Sequence, residues 1–85
     1  MANGGKIKNW SLIDENSKRK TWHHDEKPIG AEIDKKRKGW IVKKAKTRDH
    51  GAAIAAKIAG PFNTKAKARK KAVKWMRKHP NAKNV

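Results

Sequence analysis

The sequence predicts an α+β domain: a small antiparallel β-meander of four or five strands with one amphipathic C-terminal helix packed on it. Three observations carry this reading. Aliphatic and Trp residues recur at strand spacing through the first two thirds of the chain, in short runs divided by Asp, Asn, Ser and Gly. Residues 65–78 switch to a helical period, between Thr64 and Pro80. Four Trp, at positions 10, 22, 40 and 75, supply core volume that basic disordered chains rarely hold.

Residues 6–13 read as the first strand and residues 18–24 as the second. Asp14-Glu15-Asn16-Ser17 between them is turn chemistry, because Asx and Ser side chains bond their own backbone. In residues 29–35, Ile29, Ala31 and Ile33 alternate with Gly30, Glu32 and Asp34, the pattern of a half-buried strand. Lys36-Arg37-Lys38-Gly39 is a basic turn, and residues 40–46 are the fourth strand. Residues 52–59 suit either helix or strand: alanine favours helix, and Ile54 and Ile58 would share a helical face. Length and the flanking Gly51 and Gly60-Pro61 select strand, with residues 47–51 as the loop that leads into it.

The last element starts at a Thr64 cap and runs through Lys65 to about Lys78. Ala66, Ala68, Ala72, Val73, Trp75 and Met76 fall in one broad arc, interrupted by Lys65 and Arg69. The opposite arc holds Lys67, Lys70, Lys71, Lys74, Arg77 and Lys78 and nothing else, a cationic stripe about 120° wide on an ideal helix. The domain is expected over residues 6–80, with residues 1–5 and 81–85 as flexible tails.

Charge dominates the functional reading. The chain of 85 residues has a net charge of +17. Residues 1–42 contribute +4 and residues 43–85 contribute +13, with Asp49 the single acid in the second part. Such a field calls for a polyanion, and nucleic acid is the commonest. Like charges at i, i+3 and i+4 repel, so the stripe destabilises a free helix and is relieved by phosphates. Residues 65–78 hold six Lys and two Arg. Lys acts as a point charge where Arg forks onto guanine edges, so backbone contact with weak sequence preference is expected. Lys36, Arg37 and Lys38, followed by Lys43 and Lys44, form a second basic cluster. It straddles a duplex with the helix if the two share a face; otherwise these Lys only protect turns and edges from aggregation.

Other chemistries lack their residues. There is no Cys, hence no disulfide, zinc–thiolate site or thiol nucleophile. His23 and His24 are adjacent, which on a strand points them to opposite faces, and no H-x-x-x-H or nucleophile elbow is present. No enzymatic activity, cofactor, metal or small-molecule substrate is expected. No apolar run approaches a membrane span, and the apolar arc of the helix is too alanine-rich for interfacial insertion. Trp75 and Trp40 read as core. Trp10 and Trp22 have polar neighbours, and Trp22, between Lys18-Arg19-Lys20 and His23-His24, is the Trp expected to meet a base if any does.

Ile7-Lys8-Asn9-Trp10-Ser11, Trp22, Trp40, and a Thr64-Lys65 helix start with a His79-Pro80 end are similar to features of a group of small archaeal proteins of unknown function, found mainly in haloarchaea. That resemblance implies no activity and no site. Size and charge also resemble those of small archaeal chromatin proteins. The expectation is a non-enzymatic, cytoplasmic, nucleoid-associated protein that binds duplex DNA through its phosphates, in a nucleoid or viral DNA-packaging role. RNA binding in association with the ribosome is the alternative.

Overall fold

The computed structural model describes residues 7–47 and 53–82. Five strands, β1 (Trp10–Asn16), β2 (Arg19–His24), β3 (Ile29–Lys36), β4 (Gly39–Thr47) and β5 (Ala53–Phe62), precede one helix, α1 (Lys65–Lys78). The strands form a single antiparallel meander in the order β1-β2-β3-β4-β5. The expected α+β class is therefore the observed one. The expected 47–51 loop lies outside the described residues except for Thr47, as do residues 1–5 and 83–85 of the expected tails.

The first hairpin departs from expectation. β1 begins at Trp10 and continues through Asn16, so the turn is Ser17-Lys18. Cross-strand pairing explains the extension. Glu15 faces Lys20, with their charged groups 3.5 Å apart, and Asn16 faces Arg19. Asn16 still acts as a turn former, because its Oδ1 accepts the Lys18 N–H at 2.8 Å. Upstream, Ile7 makes only a bridge to Trp10, and Asn9 turns the chain at φ 66°.

Residues 52–59 are indeed strand from Ala53 onward, but β5 runs on through Gly60-Pro61 to Phe62. Its register against β4 shifts on both sides of Val42. These bulges break simple alternation, so Ile58 and Ala59, adjacent in sequence, both pack against the core. Gly60 permits the close pass: its φ is +113°, and a Cβ there would stand 2.7 Å from the Trp40 carbonyl oxygen.

Strand alternation divides the sheet. Trp22, Ala31, Ile33 and Val42 share one face, as their pairings require, and α1 packs on it. The helix buries Ala68, Ala72 and Met76, one ridge at i, i+4 and i+8. Both alanines of that ridge are fully buried, as is Ala31 on the sheet face that the helix covers. Ala66 is exposed, since it sits about 120° from Ala72 around the axis.

Both helix ends are tied down. Thr64 is extended and its Oγ1 accepts the Lys67 N–H at 3.2 Å, the expected cap. Beyond the other end, Asn9 and two strand residues donate to the carbonyls that follow the helix: Trp10 Nε1 to His79 at 3.2 Å, and Asn9 Nδ2 and His24 Nε2 to Pro80 at 2.9 and 2.8 Å. Ala82 follows, its N–H donating to His79 and its side chain against the core.

Candidate nucleic-acid interface

With the Ala68–Ala72–Met76 ridge turned to the sheet, ideal helix geometry aims the cationic stripe away from it. All six of its residues, Lys67, Lys70, Lys71, Lys74, Arg77 and Lys78, are exposed. None forms an ion pair with a described residue. The paired carboxylates serve other cations. Glu15 takes Lys20 and Lys65, while Glu32 and Asp34 take Arg19 and Lys43. The first helical turn contains no acid, so nothing there complements the macrodipole, whereas Arg77 and Lys78 suit the last turn.

Two shallow grooves flank the helix. Phe62, Lys67, Lys70, Lys71 and Lys74 line one. Arg69, Val73, Arg77 and Lys78 line the other, again with Lys70 and Lys74. Lys70 and Lys74 therefore form the ridge between the grooves. Lys65, which interrupts the apolar arc in sequence, is half-buried. Its ammonium meets Glu15 at 3.2 Å and the Asn16 carbonyl at 3.1 Å, and lies 5.7 Å from the Trp40 ring centroid. It joins the helix start to the first hairpin.

The second basic cluster is not one surface. Lys36, Arg37 and Lys38 are exposed at the β3–β4 turn. That turn lies at the helix N-terminal end, because Gly39 abuts Pro61 and Phe62. Lys44 pairs with Ala31 and Ala56 on the helix side of the sheet. Lys43 and Lys36 point to the opposite face, where Lys43 sits 3.3 Å from Asp34. So Lys43 and Lys36 do not join the stripe.

Trp10, Trp22 and Trp75 differ from expectation. Trp10 is fully buried, and Trp22 is 4% exposed, which leaves it no ring face for a base. Polar neighbours misled because alternate residues of a strand face solvent while the Trp between them faces the core. Trp40 is core, as expected, at 8% exposed. Trp75 is only partly buried. It packs at the rim, edge-on to Trp10 at 5.7 Å and tilted against His79 at 4.7 Å.

His23 and His24 do face opposite ways. His24 is buried: its Nδ1 accepts the Glu26 and Lys27 amides at 3.0 Å each while Nε2–H donates to Pro80. Both ring nitrogens are thus occupied by backbone. Among the described residues no group of three His, Asp or Glu could hold a metal, and no helix is long and apolar enough to cross a membrane.

Composition and motif reading missed a cluster on the sheet face away from the helix. Asp34 is 4% exposed. Its Oδ1 accepts Arg19 Nε at 2.9 Å and its Oδ2 lies 3.3 Å from Lys43 Nζ. Glu32 stands beside it, 3.9 Å from Arg19. Burial, then hydrogen bonding to Asp34 and its charge, push the Glu32 carboxyl up to about 7. Burial pushes Asp34 up as well, but hydrogen bonds with Glu32, Arg19 and Lys43 outweigh it and hold Asp34 down at about 2. The i, i+2 spacing of the acids was visible in sequence; Arg19 and Lys43 reach them only through strand register.

Glu32 binds its proton more tightly in the folded chain, so its contribution is complete below about 4.5 and is lost as pH rises through about 7. Asp34 behaves oppositely: its contribution is present above 3.8 and is lost as pH falls toward about 2. Glu32→Gln is expected to flatten the decline in stability between about pH 4.5 and 7 and to stabilise the fold by about 1–2 kcal/mol at pH 8, where that decline is complete. Urea melts across that range check it; an unchanged pH profile would contradict the assignment.

Compared with protein-family models, with curated proteins and with solved structures, the chain has no match.

Proposed function

We propose that this protein binds nucleic acid without catalysis, with duplex DNA the favoured ligand, through phosphate contacts made by the exposed face of α1. One observation carries the reading. Six cations on one helix face are all exposed and have no ion-pair partner among the described residues, while other Lys and Arg of the chain do have carboxylates. Packed cations at helical spacing raise the energy of the unliganded helix, and a polyanion relieves it. The Lys-rich composition favours contacts that position the protein on the backbone over contacts that read bases. The buried Trp10, Trp22 and Trp40 leave base stacking little to work with. A nucleoid-associated or packaging role suits such binding.

The test is a salt titration on a labelled random duplex of about 20 base pairs, followed by anisotropy because three of the four Trp are buried. Six neutralised phosphates give a slope of log K on log salt of about −5, the same for unrelated base sequences. A flat response would rule the reading out. Tighter binding to a structured RNA of equal length would move the assignment to RNA.

A further inference from the structure

We propose that the sheet face opposite α1 carries a second phosphate-binding site, centred on Arg19 between the two hairpin tips, through which one molecule holds a second nucleic-acid segment. The bridging part rests on the reading of the helix above; the phosphate site stands on its own geometry.

The site is a groove lined by Asn16, Lys18, Arg19, Asp34, Lys35 and Lys36. Four cations and one carboxylate line it, and that carboxylate is already engaged: Asp34 is buried, with one oxygen on Arg19 Nε and the other near Lys43, while Glu32 stands outside the lining, 3.9 Å from Arg19 Nε. What Asp34 does for the groove is to anchor the Arg19 guanidinium by one edge. The side chain of Arg19 remains 52% exposed, and no described residue hydrogen-bonds its two terminal amino groups. An arginine fixed through Nε on a buried acid, with its fork free, is organised in advance to take two oxygens of one phosphate. Lys18 and Lys36 add exposed charge beside it. The groove walls are tied together, since the Lys35 N–H donates to the Lys18 carbonyl at 2.9 Å and Asn16 Oδ1 accepts the Lys18 N–H.

Direction is what makes the site a second one. Arg19 pairs with Asp34, and Asp34 with Ile41, on the face that excludes Ile33 and Val42. The helix covers Ile33 and Val42 and aims its stripe the other way. The two cationic surfaces therefore look out from opposite sides of a two-layer domain. The groove borders the helix start through Asn16, but the Arg19 fork opens on the far face, so a phosphate held by that fork belongs to a segment other than the one along the stripe.

Two measurements test this. The first follows the Arg19 Nε–H resonance during titration with inorganic pyrophosphate. A saturable shift is expected, weakened about tenfold by Lys18→Gln with Lys36→Gln. A resonance that does not move, or moves equally in that variant, would overturn the site. The second immobilises one duplex and measures capture of a second, labelled duplex by added protein. The Lys18→Gln, Lys36→Gln variant is expected to bind the immobilised duplex within about twofold of the unmodified chain, yet to capture roughly one tenth as much of the second. Lys8→Gln with Lys27→Gln, equal in lost charge and remote from the groove, is expected to capture normally. Equal capture by the two variants would overturn bridging. Pyrophosphate binding at Arg19 without any duplex binding would sink the reading of the helix alone, and duplex binding with an unmoved Arg19 would sink only the second site.

Discussion

Lys70→Glu combined with Lys74→Glu is expected to lower affinity for a random duplex by about two orders of magnitude while leaving the domain folded. Both residues border both grooves beside α1, so a backbone following either side of the helix meets them. Each reversal removes a counterion-releasing contact and sets a carboxylate against phosphate; two such changes amount to about 3 kcal/mol, or roughly a hundredfold. The slope of log K on log salt should also fall by about 2. Stability should move the other way. Both side chains are exposed, and a Glu at position 74 would stand four residues before Lys78 and three after Lys71. Replacing repulsive neighbours by attractive ones adds a few tenths of a kcal/mol to the helix, about 0.2–0.5 per pair. Affinity is read by anisotropy and stability by urea melts followed by circular dichroism. Unchanged affinity in a folded variant would remove the helix from the interface.

Trp10→Ala is expected to cost about 3–5 kcal/mol, enough to unfold most of so small a domain. Trp10 is fully buried and does three things at once. It packs edge-on to His24 at 5.0 Å and to Trp75 at 5.7 Å, and its indole N–H donates to His79 beyond the helix. Its removal leaves a large cavity and frees the end of α1 from β1. Trp10→Phe keeps most of the volume and loses the hydrogen bond, so about 1–2 kcal/mol is expected. Trp75→Ala, at the rim and half-buried, should cost clearly less than Trp10→Ala. A Trp10→Ala chain with an unchanged urea midpoint, or a larger loss from Trp75→Ala, would overturn this ranking.

That ranking reverses the one the sequence suggests, and the reason is local. Trp75 lies beside Met76 and Val73 in a helix, where period alone places it near the apolar arc. The centre of that arc is set by what the helix lands on, and the Ala68–Ala72–Met76 ridge took the contact. Trp10 sits between Asn9 and Ser11, and its pocket is supplied by distant residues: His24 of β2, Trp75 of α1 and the His79 carbonyl. The β1–β2 turn moved for the same kind of reason. Asp14-Glu15-Asn16-Ser17 has turn chemistry, but Glu15 and Asn16 gain partners across the strands that no local propensity records. Gly60-Pro61 reads as a strand end, yet β5 passes through it on a bulge that needs Trp40 opposite.

What the sequence determined by itself is what depends on near neighbours along the chain. The meander followed from alternation, the helix from its Thr64 cap and period, and the exposed stripe from six cations that could not be buried without partners. What only the tertiary structure decided depends on which distant residues meet. Strand register chose the helix side for Lys44 and the other for Lys43 and closed Asp34 between Arg19 and Lys43, while the docking of the helix set Lys65 on Glu15. One residue of slip in any of those pairings would exchange the faces, and composition carries no record of register.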